Sequence, residues 1–137
     1  MNPFNIERAF QDKAKRGWET LYVLIDAHGT LIKPGHDKVE FYPNAVEIMK
    51  WFNNRNDFKV ILWTSSHQEE VTEIQRAAAK EGFFFDYINS NPAEQNSTRA
   101  NFDKKFYFNI LFEDKAGFVG ETDWALVKQE LTRIGEW

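Results

Sequence analysis

The sequence predicts an α/β domain: a parallel sheet of about four strands with helices on both faces. Two observations carry this. Short apolar runs alternate with longer segments of helical periodicity, which is the pattern of parallel strands joined by crossover helices. In addition, Leu21-Tyr22-Val23-Leu24-Ile25 is an unbroken apolar run that ends abruptly in Asp26. A strand covered on both faces reads this way, and open parallel sheets bind their ligands at the carboxyl ends of such strands. With 137 residues, one domain over residues 1–137 is large enough to bury a two-sided sheet without metals or disulfides as staples.

Taken in order, the elements begin with a leading helix over Asn5 to Trp18, where Ile6, Phe10, Ala14 and Trp18 recur at four-residue spacing. The strand ending at Asp26 follows. Ile32 to Tyr42 contains Pro34, Gly35 and mixed charges, so it reads as an irregular loop or small flap, too short for a folded cap. A second helix opens at Pro43, a residue suited to a first helical turn, and keeps Val46, Met49 and Phe52 on one face. Lys59 to Thr64 is a second buried strand ending in a hydroxyl. A third helix runs from Gln68 to Lys80, with Val71, Ile74 and Ala78 spaced for burial, Glu69 to Glu73 in its opening turns and Gly82 as its stop. Phe83 to Ile88 gives a third strand, Asn89 to Asn101 a polar loop, and Phe106 to Phe112 a fourth strand ending in Glu113-Asp114-Lys115. The chain closes in an amphipathic helix through Trp124, Leu126, Val127, Leu131 and Ile134. Trp51, Trp63 and Trp124 fall in the apolar phases of their elements, and Phe83 to Phe85 are expected to fill space beneath the sheet.

Composition narrows the function. Seventeen Lys and Arg face 21 Asp and Glu, for a net charge of -4 and a pI near 5.4, which argues against the broad basic footprint of a general nucleic-acid binder. Without cysteine, thiol catalysis is excluded and the redox compartment is unconstrained. No apolar run approaches the roughly 18 residues of a membrane span. The opening Met1-Asn2-Pro3-Phe4-Asn5 has neither a basic region nor an apolar core, so a soluble, cytoplasmic protein is expected. No Gly-x-x-x-x-Gly-Lys loop is present, which argues against a P-loop kinase.

Three strand ends carry polar chemistry: Asp26, Thr64 and Glu113-Asp114. In a parallel sheet they share one edge, so residues distant in sequence converge on one crevice. Such a constellation suits phosphoryl transfer. A carboxylate attacking a phosphate dianion meets charge repulsion, and a cation held by acidic groups offsets it while polarising the phosphoryl oxygens. An all-oxygen ligand set suits magnesium, and Thr64, with nearby backbone N–H groups, is placed to bind the transferring phosphoryl group. His36, His67 and the sequon-like Asn96-Ser97-Thr98 acquire no role, since the imidazoles lack a third ligand at suitable spacing.

The segment Asp26-Ala27-His28-Gly29-Thr30 resembles the first motif of the haloacid dehalogenase-like (HAD) phosphohydrolases, Asp-x-Asp-Gly-Thr. Val60-Ile61-Leu62-Trp63-Thr64-Ser65 is similar to their second motif, and Ile110-Leu111-Phe112-Glu113-Asp114 to their acidic fourth; together they span about Leu21 to Trp124. The resemblance implies a three-layer Rossmann-like fold, the first strand flanked by the second and fourth, and no large cap. It implies Asp26 as nucleophile and magnesium ligand, the His28 carbonyl, Asp114 and Glu113 as further metal ligands, and a phospho-Asp26 intermediate. The tail through Asp123-Trp124 looks like small capless members of unassigned substrate.

His28 stands where the family has its second aspartate, the group that protonates the leaving oxygen. Imidazole, with an unperturbed pKa near ~6.5, can perform both proton transfers near neutral pH. The expected activity is therefore magnesium-dependent hydrolysis of a phosphate monoester. One alternative is a catalytically degenerate binding or regulatory module; another is a nucleotide or polynucleotide-end phosphatase, to which Arg99, Lys104 and Lys105 would lend a local basic cluster. The family's basic residue is open among Arg99, Lys105 and Lys115. Lys104 and Lys105 precede a strand whose length, at about 3.3 Å per residue, would hold them roughly 20 Å from its reactive end, so Lys115 is favoured. An open site is expected to admit substrates from phosphorylated small molecules and nucleotides to polynucleotide ends or phosphoproteins.

Overall fold

The protein is described here by a computed structural model covering residues 3–35, 38–94 and 106–137. Its centre is β1 (Leu21–Asp26), whose first five residues are all buried. The apolar run leaves no polar face for solvent, and β1 accordingly has parallel neighbours on both sides: β2 (Phe58–Trp63) from Leu21↔Phe58 to Asp26↔Trp63, and β4 (Ile110–Phe112) from Val23↔Ile110 to Ile25↔Phe112. Two-residue β3 (Tyr87–Ile88) adds to β2, giving the order β3-β2-β1-β4. The first strand thus lies between the second and the fourth, and every carboxyl end points to the same edge.

Four helices flank the sheet: α1 (Ile6–Arg16), α2 (Ala45–Asn54), α3 (Gln68–Glu81) and α4 (Gly120–Arg133). The result is the expected α/β, Rossmann-like three-layer class. Alternation along the strands divides the interior. Leu21, Val23, Ile25, Val60, Leu62, Ile110 and Phe112 face the larger cluster, to which each of the four helices contributes buried side chains. The opposite face, Tyr22, Leu24 and Ile61, is covered among the described residues by Tyr87, Phe106, Tyr107 and Leu111, so the layer there is built from aromatic side chains on and around β3 and β4. The Phe52, Phe112, Phe118 and Trp124 rings meet edge-on or tilted in the larger core, and truncating one such ring costs about 3–5 kcal/mol.

The expected flap is a short antiparallel excursion. Lys33 N–H donates to the Glu40 carbonyl, Tyr42 N–H to the Leu31 carbonyl, and Ile32 pairs with Phe41. Its base, Leu31 and Ile32, is buried.

Three expectations need correction. The third strand was expected over Phe83–Ile88, yet only Tyr87 and Ile88 pair, because the Asn53 side chain of α2 binds both the N–H and the carbonyl of Phe84. Phe83 is buried while Phe84 is 54% exposed, so these phenylalanines do not all lie beneath the sheet. The fourth strand begins at Ile110 rather than Phe106, because Asn109 closes the ladder: its N–H donates to the Tyr22 carbonyl and its side-chain oxygen accepts the Tyr22 N–H. Phe106 and Tyr107 are thereby free to fold over the second face. Finally, Trp63 and Leu126 are each 44% exposed, whereas apolar phase placed them inside. Trp63 sits on the last residue of β2, at the rim of the covering layer, where Phe106 meets its ring and the rest is left to solvent.

Candidate active site

The carboxyl edge of the sheet opens into a cleft of about 1020 Å³ whose lining includes Asp26, His28, Thr64, Glu113, Asp114 and Lys115, so the candidate residues that fall among the described ones meet there. Carboxylate oxygens of Asp26, Glu113 and Asp114 lie within 4.8 Å of one another. Asp26 arrives on the last residue of β1, Glu113 directly follows β4, and Asp114 begins a single 3-10 turn, Asp114–Ala116. The pairing of β1 with β4 therefore sets the distance between the acids.

The turn after β1 holds them in place. The N–H groups of Thr30, Leu31 and Ile32 converge on the Ala27 carbonyl, at 3.3, 2.9 and 3.0 Å. This brings the buried Thr30 hydroxyl between the two aspartates: it donates to Asp26 Oδ2 at 3.2 Å and accepts the Asp114 N–H at 2.8 Å. Trp124 of α4 secures the same residue from behind, its indole N–H donating to the Thr30 carbonyl at 2.9 Å. Gly29 is required twice over. Its φ of +85° is left-handed, and a Cβ there would stand 2.5 Å from Asp114 Oδ2.

Like charge at such range is costly, and the titration reflects it. Burial, then a hydrogen bond with Asp114 and its negative charge, push Asp26 from an ordinary 3.8 up to about 6, opposed by the Thr30 hydroxyl. Partial burial also pushes Asp114 up, but hydrogen bonds from the Glu113 and Asp26 carboxyls and from backbone N–H groups outweigh it, and its pKa ends below the usual carboxylate value. The shifts run in opposite directions, so the crowding raises Asp26 while Asp114 stays the more acidic of the two. Three carboxylate oxygens gathered this closely are a ligand set that a hard divalent cation fits.

Thr64 is 9% exposed, and its donors are committed within its own loop. Its N–H donates to Asn89 Oδ1 at 2.8 Å, the Asn89 amide returns a bond to the Thr64 carbonyl, and its hydroxyl donates to Ser66 Oγ at 2.9 Å. It thus shapes the loop, while exposed Ser65 and half-buried Ser66 line the cleft beside it. His28 is exposed, and its Nε2 pairs with Glu70 Oε1 in the first turn of α3, so the imidazole stands apart from the three-carboxylate group. Lys115 is the one Lys or Arg of the lining among the described residues; Arg99, Lys104 and Lys105 lie outside them, as do His36 and Asn96-Ser97-Thr98. His67 precedes α3 without capping it through its side chain.

Sequence reading missed Glu70, Asn89 and the linking role of Thr30. Thr30 belonged to the motif after Asp26, but its bond to Asp114 depends on a residue 84 positions away. Glu70 read only as favourable negative charge at a helix start.

No family model matches the chain, and no curated protein matches it. A solved structure described as the conserved protein coded by a locus from Bacteroides thetaiotaomicron is similar with a TM-score of 0.65 and 21% identity, covering 83% of this chain and 91% of that one. The likeness establishes the fold alone. Among the described residues no helix is long and apolar enough to cross a membrane.

Proposed function

We propose that this chain is a magnesium-dependent phosphate monoester hydrolase of the HAD-like type, working through a phospho-Asp26 intermediate. The observation that carries the reading is the gathering of Asp26, Glu113 and Asp114 oxygens within 4.8 Å at the carboxyl edge of a parallel sheet. Asp26, Asp114 and Glu113 would hold the cation, with the His28 carbonyl as the further ligand implied by the motif. When bound, magnesium supplies positive charge that lets a carboxylate and a phosphate dianion approach, and it polarises the phosphoryl oxygens.

The remaining steps belong to the chain's own residues. Thr30 engages Asp26 Oδ2, which leaves the other carboxylate oxygen to attack phosphorus. The bond from phosphorus to the ester oxygen breaks, and that oxygen takes a proton from the His28 imidazole, oriented by Glu70. His28 then accepts a proton from water as the water oxygen attacks the phosphorus of phospho-Asp26, which releases phosphate and restores the carboxylate. Ser65, Ser66 and Lys115 supply donors and positive charge for the phosphoryl oxygens.

One observation favours a second reading, a binding module that has lost turnover: the His28 ring pairs with Glu70, away from the carboxylates. Hydrolysis of p-nitrophenyl phosphate with and without magnesium, by wild type, Asp26→Asn and His28→Asp, separates the two. Magnesium-dependent turnover abolished by Asp26→Asn supports the phosphatase; equal background in all three removes it.

A further inference from the structure

The carboxylates occupy only part of the cleft. Its other wall is apolar and aromatic, formed by Leu24, Trp63, Phe106, Phe108 and Leu111. Two of these rings are open to solvent, Trp63 at 44% and Phe108 at 40% exposure, although the fold buries most of its other large apolar side chains. Trp63 is the register partner of Asp26 on the neighbouring strand, so their backbones are about 4.8 Å apart. With period-two alternation, Leu24, Asp26, Ile61, Trp63 and Leu111 share the same sheet face. Phe106 packs against the indole, with ring centroids 5.4 Å apart at 52°. The indole is thus a braced platform beside the attacking group.

We infer that the cleft takes a phosphomonoester whose leaving group carries a planar nitrogenous base, a nucleoside monophosphate, with the base stacked on Trp63 and Phe108 and the phosphate at Asp26. This inference rests on the phosphatase reading for its chemistry, and on the aromatic wall alone for its selectivity. A bare phosphate or a short polyol phosphate would leave both rings wet. Stacking on an aromatic face tolerates any base, and about 1020 Å³ exceeds what a lone phosphoryl group fills. Hydrolysis would break the phosphorus–O5′ bond, the nucleoside oxygen taking its proton from His28 and water supplying the fourth phosphate oxygen.

The test compares adenosine 5′-monophosphate with ribose 5-phosphate, which has the same phosphate and sugar but no base. Wild type is expected to prefer the nucleotide in kcat/KM by roughly 5- to 150-fold, the range of one base stacked on an aromatic side chain. Trp63→Ala and Phe108→Ala should each erode that ratio, and Trp63→Phe, which keeps a ring, should retain most of it. Equal kcat/KM for the two substrates in wild type, or a ratio unchanged in both alanine variants, would overturn the inference. Calorimetric binding of both compounds to Asp26→Asn separates this from the chemistry. Trp63-dependent nucleotide binding to Asp26→Asn, with wild type hydrolysing neither compound, would retain the base site and remove the phosphatase reading; absence of binding together with absence of wild-type turnover would remove both.

Discussion

Replacing Asp26 with Asn is expected to make the metal-free protein more stable while it destroys the site. In the folded chain Asp26 is held at about 6 against an ordinary 3.8, chiefly by burial and then by Asp114. A rise of about two units would correspond to roughly 3 kcal/mol if fully expressed, but the half-buried carboxyl is partly screened by solvent, and about 1–2 kcal/mol is the expected gain. The sign follows from linkage. For an acid whose folded pKa is raised, ionisation opposes folding, so the wild type carries no penalty below about pH 4, where Asp26 is protonated in both states. The penalty grows between about pH 4 and 6 and is complete above that. Thermal unfolding of both proteins from pH 3.5 to 7.5 in a chelator should therefore give curves that coincide at the acid end and diverge through that window, with Asp26→Asn melting higher by a few degrees. Magnesium should reverse the order, since saturation to a hundred times Kd adds about 2.7 kcal/mol to the protein that binds it. A variant that melts lower than wild type at pH 7 without metal, or a gap independent of pH, would refute the account of crowded carboxylates.

Thr30→Val, which removes the hydroxyl but keeps the shape, should leave the Asp114 N–H unpaired and cost about 1–3 kcal/mol in denaturant unfolding, with weaker magnesium binding by calorimetry. Gly29→Ala should cost about 1–3 kcal/mol through its left-handed backbone; because the new methyl would strike Asp114, its metal affinity should fall more than that of an alanine substitution at Gly17, whose added Cβ meets nothing within 4 Å. Asp57 is held low by bonds from Arg55 and Lys13; its contribution, of order 2 kcal/mol, is present above about pH 4 and lost as pH falls below it, so wild type and Asp57→Asn should converge in acid unfolding. Trp124→Phe should lower stability by about 1–3 kcal/mol, because the Thr30 carbonyl loses its partner, and should reduce turnover on p-nitrophenyl phosphate as the turn after β1 loosens.

What was legible in the sequence was whatever one element encodes by itself. The unbroken apolar run before Asp26 announced a doubly covered strand, and Val60 to Leu62 announced its neighbour, because burial on both faces leaves a continuous signature. α3 was legible to within a residue from its spacing and the Gly82 stop. What was not legible depended on groups from elsewhere. Asn53 takes the backbone of Phe84 and removes most of β3; Asn109 stands in for a ladder residue and delays β4. Trp63 has an apolar side chain at a position of inward phase, yet it lies at the rim of the covering layer and stays 44% exposed, and no local pattern tells where a neighbouring segment stops. At the site, the acids were visible as strand ends, while Thr30 between them and Glu70 against His28 emerge only when separate turns come together.

The link from Thr30 to Asp114 joins residues 84 positions apart, so the site is complete only when the last strand has joined the first. Closing so long a loop is slow and entropically costly, so the chain can dock its first two strands long before the last one arrives. Until β4 slots in beside β1, Asp26 stands without Glu113 and Asp114, so on the proposed reading a partly opened molecule would lack its cation site. If the three carboxylates hold a cation as proposed, ion binding and docking of the far strand would be linked, and added ion would favour the molecule with β4 in place.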